Sequence, residues 1–403
     1  MVSFELTPEQ QALQQLARDF TNQHIKPWAA EGDRIPDPRR SFNWDIIRRG
    51  SELGLRTLAI PQEMGGGGAD ILTLCLVGEE LAAGDLGIAV AFDQTWKYSY
   101  IIAEGMSGEQ RARWLPRFMG DHECLLAIGF TEPGHGSDSF GLEYGPRIGM
   151  QIDARPEGGE WALNGMKHFI SNGGLAKIYF ICTRTDKTVG IDKGCTTFVV
   201  AAGHPGFTIG EIHDKMGQRN VQNAELVFQN CRVPDRDRLT PVGEGLKFQL
   251  DLAKASHVEA AATVLGPARR AYEECLEYAK NRVQGGKPII EHQAVQLMLA
   301  EMNMLVEASR NYIWRAAIRN EYEKPFEPHY SMLTKVFVSE AAFRVCTLGM
   351  EIWGGMGYMK EAPMEKLLRD AASFLHSDGT NQVHRLKAAQ LFGGLAAKYG
   401  AAH

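Results

Sequence analysis

Apolar positions along the chain follow two different periods, and the period changes twice. Up to about residue 123 the spacing is helical. Leu13, Leu16, Ala17 and Phe20 fall on one helix face. Thr7 ahead of Pro8, Glu9 and Gln10 supplies the start, because threonine can cap a first turn and proline fits the first helical position. This helix is expected to end before Pro27. Further helices are expected over 44–53, 72–81, 86–102 and 109–119, with the glycine run 65–68 as a loop. From about 124 to 240 the pattern switches to short β-type runs at 125–130, 150–155, 161–163, 178–183, 196–201, 207–211 and 225–228. Turn residues separate them, among them Asn164-Gly165, which predicts an antiparallel barrel or sandwich. From 243 onward the helical period returns. Four long helices are predicted over 244–282, 290–322, 329–353 and 381–398. Met298, Met302, Leu305, Ser309, Ile313 and Ala316 step by three or four residues and mark a bundle core. The expected architecture is α+β in three domains: helical 1–123, β 124–240 and a helical bundle 241–403. The junction of the β domain with the second helical block is a natural place for a cofactor.

Composition narrows the function classes. A chain of 403 residues buries a core without disulfide or metal staples. Its formal net charge of -6 argues against a dominant basic face for nucleic acid, while leaving room for a local phosphate pocket. The longest apolar stretches, 86–92 and 197–202, fall well short of the roughly 18–20 residues of a membrane span. Residues 1–10 carry neither a basic head nor an apolar run, so no signal peptide is expected. Seven cysteines, an odd number without C-x-x-C, read as free thiols of a reducing cytoplasm. No H-E-x-x-H or thiolate cluster suggests a metal.

Three segments can carry chemistry. In 130–138 (F-T-E-P-G-H-G-S-D) a β run enters a loop rich in glycine and small hydroxyls, so its backbone N–H groups can approach a ligand; the ordinary reading is a tight surface turn. In 164–172 (N-G-M-K-H-F-I-S-N) alternation puts Phe169 and Ser171 on one strand face, where they can wall a flat heteroaromatic ring; alone, the segment reads better as a half-buried strand. In 376–382 (H-S-D-G-T-N-Q) a carboxylate, Asp378, lies between two helical stretches. Either Asp378 or Thr380 caps the last helix, or Asp378 works as a base near a cleft.

These segments, in this order and spacing, resemble the acyl-CoA dehydrogenase family, and the resemblance covers nearly the whole chain. Residues 131–138 are similar to its T-E-P-x-x-G-S-D flavin loop and 164–172 to its L-N-G-x-K-x-W-I-T-N strand. Further likeness lies in 60–66 (I-P-x-x-x-G-G), 215–217, 233–234, 278–282, 286–288, Gln293, 354–358 (G-G-M-G-Y) and 368–370. The resemblance implies FAD held between the β domain and the C-terminal bundle, and a carboxylate that removes the α-proton of an acyl-CoA thioester. It also implies hydride transfer from the β-carbon to the flavin, an electron-transferring flavoprotein as acceptor, and a homotetramer. Matched position by position, Asp378 is the base, and Gly379 N–H is a donor to the thioester oxygen. Phe130, Thr131, Gly136, Ser137, Phe169, Ser171, Arg282, Gln284, Gln293, Glu351, Gly354, Gly355, Thr380 and Gln382 contact FAD, partly from a neighbouring subunit. Ser137, His257, Gly379 and Asp93 line the substrate site.

Departures from the family pattern bear on substrate. Asp378 replaces a glutamate, one methylene longer, and Ser377 replaces a tyrosine. Ser256 occupies the alternative base position on a C-terminal helix and cannot serve. His257 stands for the usual Arg, Phe169 for Trp and Gly285 for Phe. Ser377 is expected to widen the pocket for a branched, cyclic or aryl acyl group. Asp93, after the apolar run 86–92, is either a polar residue satisfied near a helix end or a second acid/base or substrate contact. Rival functions are a nitroalkane oxidase-like flavoprotein, whose counterpart of 285–293 is similar, a non-redox CoA-thioester lyase, and a catalytically silent CoA-binding protein. Arg269, Arg270 and Lys254 are candidates for the CoA phosphates.

Overall fold

In a computed structural model, which describes residues 5–392 apart from the side chains of 249–255, Thr7 caps the first helix. Its hydroxyl accepts from Gln10 N–H, the Gln10 side chain accepts from Thr7 N–H, and α1 runs over Pro8–Phe20. Pro27 does not end the helical run. Thr21–Ile25 widens into a π turn that feeds α2 (Lys26–Asp33), and Pro27 falls in the first turn of α2, where its missing N–H costs little. The helices α3 (Trp44–Glu52), α4 (Ile71–Gly84), α5 (Leu86–Tyr100) and α6 (Gly108–Gly120) complete this block. Both α4 and α5 are buried around nearly their whole circumference. Asp85 starts α5 by accepting from Ile88 N–H, and it also receives Asn220 and the Lys366 ammonium, so one carboxylate pins three parts of the chain.

Seven strands form one curled sheet: β1 (Leu126–Gly129), β2 (Asp153–Glu157), β3 (Glu160–Ser171), β4 (Ile178–Arg184), β5 (Cys195–Ala201), β6 (Phe207–Ile212) and β7 (Asn223–Pro234), with a one-turn helix α7 (Ile191–Gly194) before β5. The order is β1-β4-β2-β3-β7-β6, with β5 on β4. The sheet is not purely antiparallel, as the sequence pattern suggested. β1 runs parallel to β4 from Leu126↔Ile178 to Gly129↔Ile181, and β2 meets β4 in parallel at Asp153↔Arg184. A long excursion containing the β2–β3 hairpin separates β1 from β4, so the two need not reverse direction. Strands β3 and β7 outrun the apolar runs that announced them, because their outer faces are polar.

The second helical block holds α8 (Gly245–Asn281), a short hairpin of β8 (Val283–Gln284) and β9 (Lys287–Pro288), α9 (Gln293–Tyr322), α10 (Pro328–Trp353), α11 (Met364–Ser373) and α12 (Asn381–Phe392). The short amphipathic α11 is an addition to the four expected helices. The expected helix 381–398 starts at Asn381, and its part beyond Phe392 lies outside the described residues. Met302, Ser309, Ile313 and Ala316 are buried, with Met298 and Leu305 packed beside them, so the stripe on α9 is core. One apolar cluster joins α4, α5, α8, α9 and α10, fusing the two helical blocks beside the sheet. All seven cysteines are buried free thiols. No described helix is long and apolar enough to cross a membrane.

Candidate active site

Asp378 lies in the tight connection between α11 and α12. Its backbone is left-handed (φ 53°), as is that of Gly379 (φ 87°). For a residue with a Cβ this costs on the order of 1 kcal/mol or more, so surrounding contacts must enforce it. They do. His384 Nε2 lies 2.6 Å from Asp378 O, and a carbonyl only accepts, so the proton sits on Nε2. Burial pushes the His384 imidazole down to about 4, which keeps it neutral. Lys335 Nζ donates to Gly379 O (2.8 Å) and to Asn381 Oδ1 (2.9 Å). The N–H of Gly379 meets no acceptor among the described residues. His257 packs edge-on against the His384 ring at 4.5 Å.

The Asp378 side chain is 22% exposed and receives Lys97 Nζ at 2.7 Å. The same ammonium lies 2.7 Å from Asp93 Oδ2. Asp93 and Lys97 stand one turn apart on α5, and both are buried. Asp93 therefore occupies the middle of α5 and not a helix end: the apolar run stops at Phe92, but Gln94–Lys97 stay buried and the helix continues. Burial alone would raise the Asp378 carboxyl. Lys97, helped by Lys335, outweighs it and holds Asp378 below the usual carboxylate value. Asp93 moves the other way, to about 6, because burial and the Asp378 charge outweigh Lys97. Burial would lower Lys97, but Asp378 and Asp93 raise it, so it stays an ammonium. A third carboxyl, Glu259 of α8, joins the group. Neither of its oxygens has a hydrogen-bond partner among the described residues, and burial followed by the Asp93 charge pushes it up to about 8.

Beside this cluster, 130–140 forms a loop across the sheet edge. Glu132 anchors it from within: its oxygens accept from Gln151 N–H, Ile152 N–H and Lys167 Nζ. Thr131 Oγ1 donates to His168 O (2.6 Å), and Phe130 packs edge-to-face on Phe140. No atom lies within 4 Å of a Cβ built on Gly134 or Gly136, so the loop presents an open backbone edge, next to exposed Ser137. The register of β3 shifts between Lys167 and Ile170, where Phe169 takes a positive φ of 61°. Plain alternation thus does not hold along β3. At its end, however, Phe169 (62% exposed) and half-exposed Ser171 both turn outward while Ile170 turns in. Phe169 lies against His168 and His213, an exposed flat aromatic surface beside an open loop. These residues fit a ring system such as an isoalloxazine.

The remaining positions are less gathered. Arg282, Gln284, Gln293, Glu351, Gly354 and Gly355 are exposed where α8, α9 and α10 begin or end, and no described hydrogen bond links them to the 130–140 loop or to β3. Exposed Gln382 opens α12, and Thr380 Oγ1 accepts from Val383 N–H at the same place. Of the phosphate candidates, Arg269 is paired with Glu79, Glu80 and Glu273. Arg270 is held by Glu274 and the carbonyls of Ala83 and Gly84. Neither is a free cation, and the Lys254 side chain lies outside those described. Sequence reasoning missed Lys97, Glu259, Lys335 and His384. Two signals were present: the Asp93–Lys97 spacing of four, and a lone acid inside the apolar run 258–265.

Comparison with known proteins agrees along nearly the whole chain. Models of the acyl-CoA dehydrogenase N-terminal, middle and C-terminal domains match residues 7–121, 127–231 and 243–392. The chain is 34% identical to the short-chain specific acyl-CoA dehydrogenase of Megasphaera elsdenii, over 95% of this chain and 97% of that protein. The solved butyryl-CoA dehydrogenase of M. elsdenii superposes with a TM-score of 0.89 at 33% identity, covering 97% of this chain and 100% of the other. A glutaryl-coenzyme A dehydrogenase in complex with glutaryl-CoA gives 0.88 at 28% identity, covering 98% and 97%.

Proposed function

The chain belongs to the acyl-CoA dehydrogenase family, FAD-dependent oxidoreductases, and we propose that it removes the α and β hydrogens of an acyl-CoA thioester with Asp378 as base. The observation that carries this reading is one juxtaposition. A partly exposed carboxylate, kept ionised by Lys97, adjoins a Gly379 N–H that has no acceptor within the described chain. An α C–H is a weak acid. It gives up its proton only if a base lies within reach and the thioester oxygen receives a donor as charge develops. Asp378 supplies the first and Gly379 N–H the second. The left-handed turn at both residues sets where the short aspartate side chain points, and His384 and Lys335 hold that turn. Bound FAD would supply the acceptor for the β-hydrogen, which no side chain can. Phe130, Thr131, Gly136, Ser137, Phe169 and Ser171 would hold its ring end. Arg282, Gln284, Gln293, Glu351, Gly354, Gly355, Thr380 and Gln382 would complete the site, the exposed members across a subunit boundary.

Ser377, half-buried beside the base, leaves room for a branched, cyclic or aryl acyl group. His257 and Ser137 would meet the substrate. A homotetramer is supported by large apolar side chains left exposed along α9, Leu297 (72%) and Met304 (62%) among them. A cytoplasmic location and an electron-transferring flavoprotein as acceptor complete the reading. For the latter, a chain from a structure of the electron-transferring flavoprotein of Acidaminococcus fermentans superposes with a TM-score of 0.89 at 32% identity. The test is Asp378→Asn in the FAD-loaded enzyme, followed by anaerobic flavin bleaching. Loss of at least about 100-fold in the reduction rate is expected; an unchanged rate would remove Asp378 from the chemistry.

A further inference from the structure

Buried polar atoms in folded proteins are almost always hydrogen-bonded, and an unpartnered carboxyl is among the costliest exceptions. Around the Lys97 ammonium the chain leaves three such atoms. Both oxygens of Glu259 and Oδ1 of Asp93 are buried and accept from nothing among the described residues. The neighbours do not compensate. Thr263 Oγ1 donates to the Glu259 backbone carbonyl and not to its side chain (2.8 Å). Gln94 Nε2 and Lys97 Nζ both go to Asp93 Oδ2. Elsewhere the protein satisfies buried acids fully: Asp85, Glu132 and Glu80 each collect two or more donors.

Position gives the unpartnered acids a meaning. Glu259 lies one helical turn beyond half-buried Ser256 on α8, the same stretch of helix whose His257 packs on His384 beside Asp378. Asp93 and Asp378 are bridged by a single ammonium, which places their facing oxygens no more than two ion-pair lengths apart. A group reaching past the reacting carbons at Asp378 toward the packed α5 and α8 would meet these acids. We propose that Glu259 and Asp93 form an acyl-end subsite for a substituent that donates hydrogen bonds, a hydroxyl or an ammonium, carried a few bonds beyond the β-carbon of the acyl-CoA. A terminal carboxylate is disfavoured by Asp93 and Asp378, which already share one lysine. A plain alkyl end would bury the acids without partners. This subsite rests on the acyl-CoA reading above and names what the acyl group must carry.

The test uses a six-carbon series with the FAD-loaded protein. Affinities of the non-reacting thioethers S-hexyl-CoA and S-(6-hydroxyhexyl)-CoA are measured by calorimetry. Then kcat and KM are measured for hexanoyl-, 6-hydroxyhexanoyl-, 6-aminohexanoyl- and adipyl-CoA. The hydroxyl thioether is expected to bind about tenfold tighter than the alkyl one, and at least one donor-bearing thioester to exceed hexanoyl-CoA in kcat/KM, with adipyl-CoA poorest. Whether the hydroxyl or the amine leads identifies which donor the subsite takes. Glu259→Leu should invert the thioether preference and raise KM for the favoured donor substrate; Glu259→Gln provides the comparison should the leucine variant not fold. Equal thioether affinities, or hexanoyl- or adipyl-CoA as the best substrate, would overturn the subsite. If no thioester bleaches the flavin, the dehydrogenase reading itself fails, whereas the thioether affinities still judge the subsite.

Discussion

Lys97 is the position where a single change has the most calculable outcome. Its ammonium serves two carboxylates, and Lys97→Met removes it while keeping the side-chain length. Asp93 is then buried without a counter-charge, and Asp378 keeps only Lys335 and neutral His384 nearby, with Asp93, Glu259 and the Tyr98 phenol around them. Breaking a buried pair in this way typically costs about 3–5 kcal/mol, unless the stranded group takes up a proton. Proton uptake is the outcome expected here, since burial already pushes both carboxyls upward. In the wild type the Asp378 carboxyl lies below its ordinary value, so the base is ionised across the neutral range. Without Lys97 it should rise, each unit corresponding to about 1.36 kcal/mol. The assay is the pH profile of anaerobic flavin reduction. The acid limb of the variant should move up by at least about one unit, with rate lost at the acid end of the profile and recovered as the pH rises. Lys97→Arg should restore the wild-type profile, because it restores the charge. A lower melting temperature with an unmoved acid limb would refute the reasoning and leave Lys97 a purely structural group.

Other consequences follow from the same structure. Ser377→Tyr should narrow the space beside the base and lower kcat/KM for branched or cyclic acyl-CoAs relative to straight chains; an unchanged ratio in a substrate panel would show that Ser377 does not shape the pocket. Asp85→Ala removes the α5 cap and one of two carboxylates on buried Lys366, at a cost of roughly 3–5 kcal/mol in a denaturation experiment. Lys366 holds Asp85 below its ordinary value against the upward push of burial, so this stabilisation is present at neutral pH and fades as pH falls below the usual carboxylate range. The wild-type and variant melting curves should therefore converge in acid. Glu132→Gln should loosen the 130–140 loop from β3, and the expected readout is faster FAD loss on dilution with the acyl-CoA KM little changed.

Local periodicity made most of this fold legible. The cap at Thr7, the α9 stripe and the bundle helices are short-range signals that burial reinforces. The failures have physical causes. At Pro27 a π turn lets the helical run continue past a residue that should stop it. Parallel pairing of β1 with β4 depends on partners some fifty residues apart, which no local pattern encodes. The bulge at Phe169 breaks the alternation from which its direction was read. At the site, motif spacing pointed to Asp378 but not to the lysine that controls it. Lys97 lies beyond the apolar run 86–92 and Glu259 inside the run 258–265, and only three-dimensional packing reveals that α5, α8 and the α11–α12 connection bring them to one place.

The most direct test of the central claim is anaerobic titration of the purified, FAD-loaded protein with acyl-CoA thioesters, with the thioester product analysed by mass. The account predicts that the flavin band bleaches and that the product weighs two hydrogens less than the substrate, without oxygen. A colourless protein that takes up no flavin, bleaching by nitroethane without CoA, or a thioester altered with no change in the flavin would contradict it.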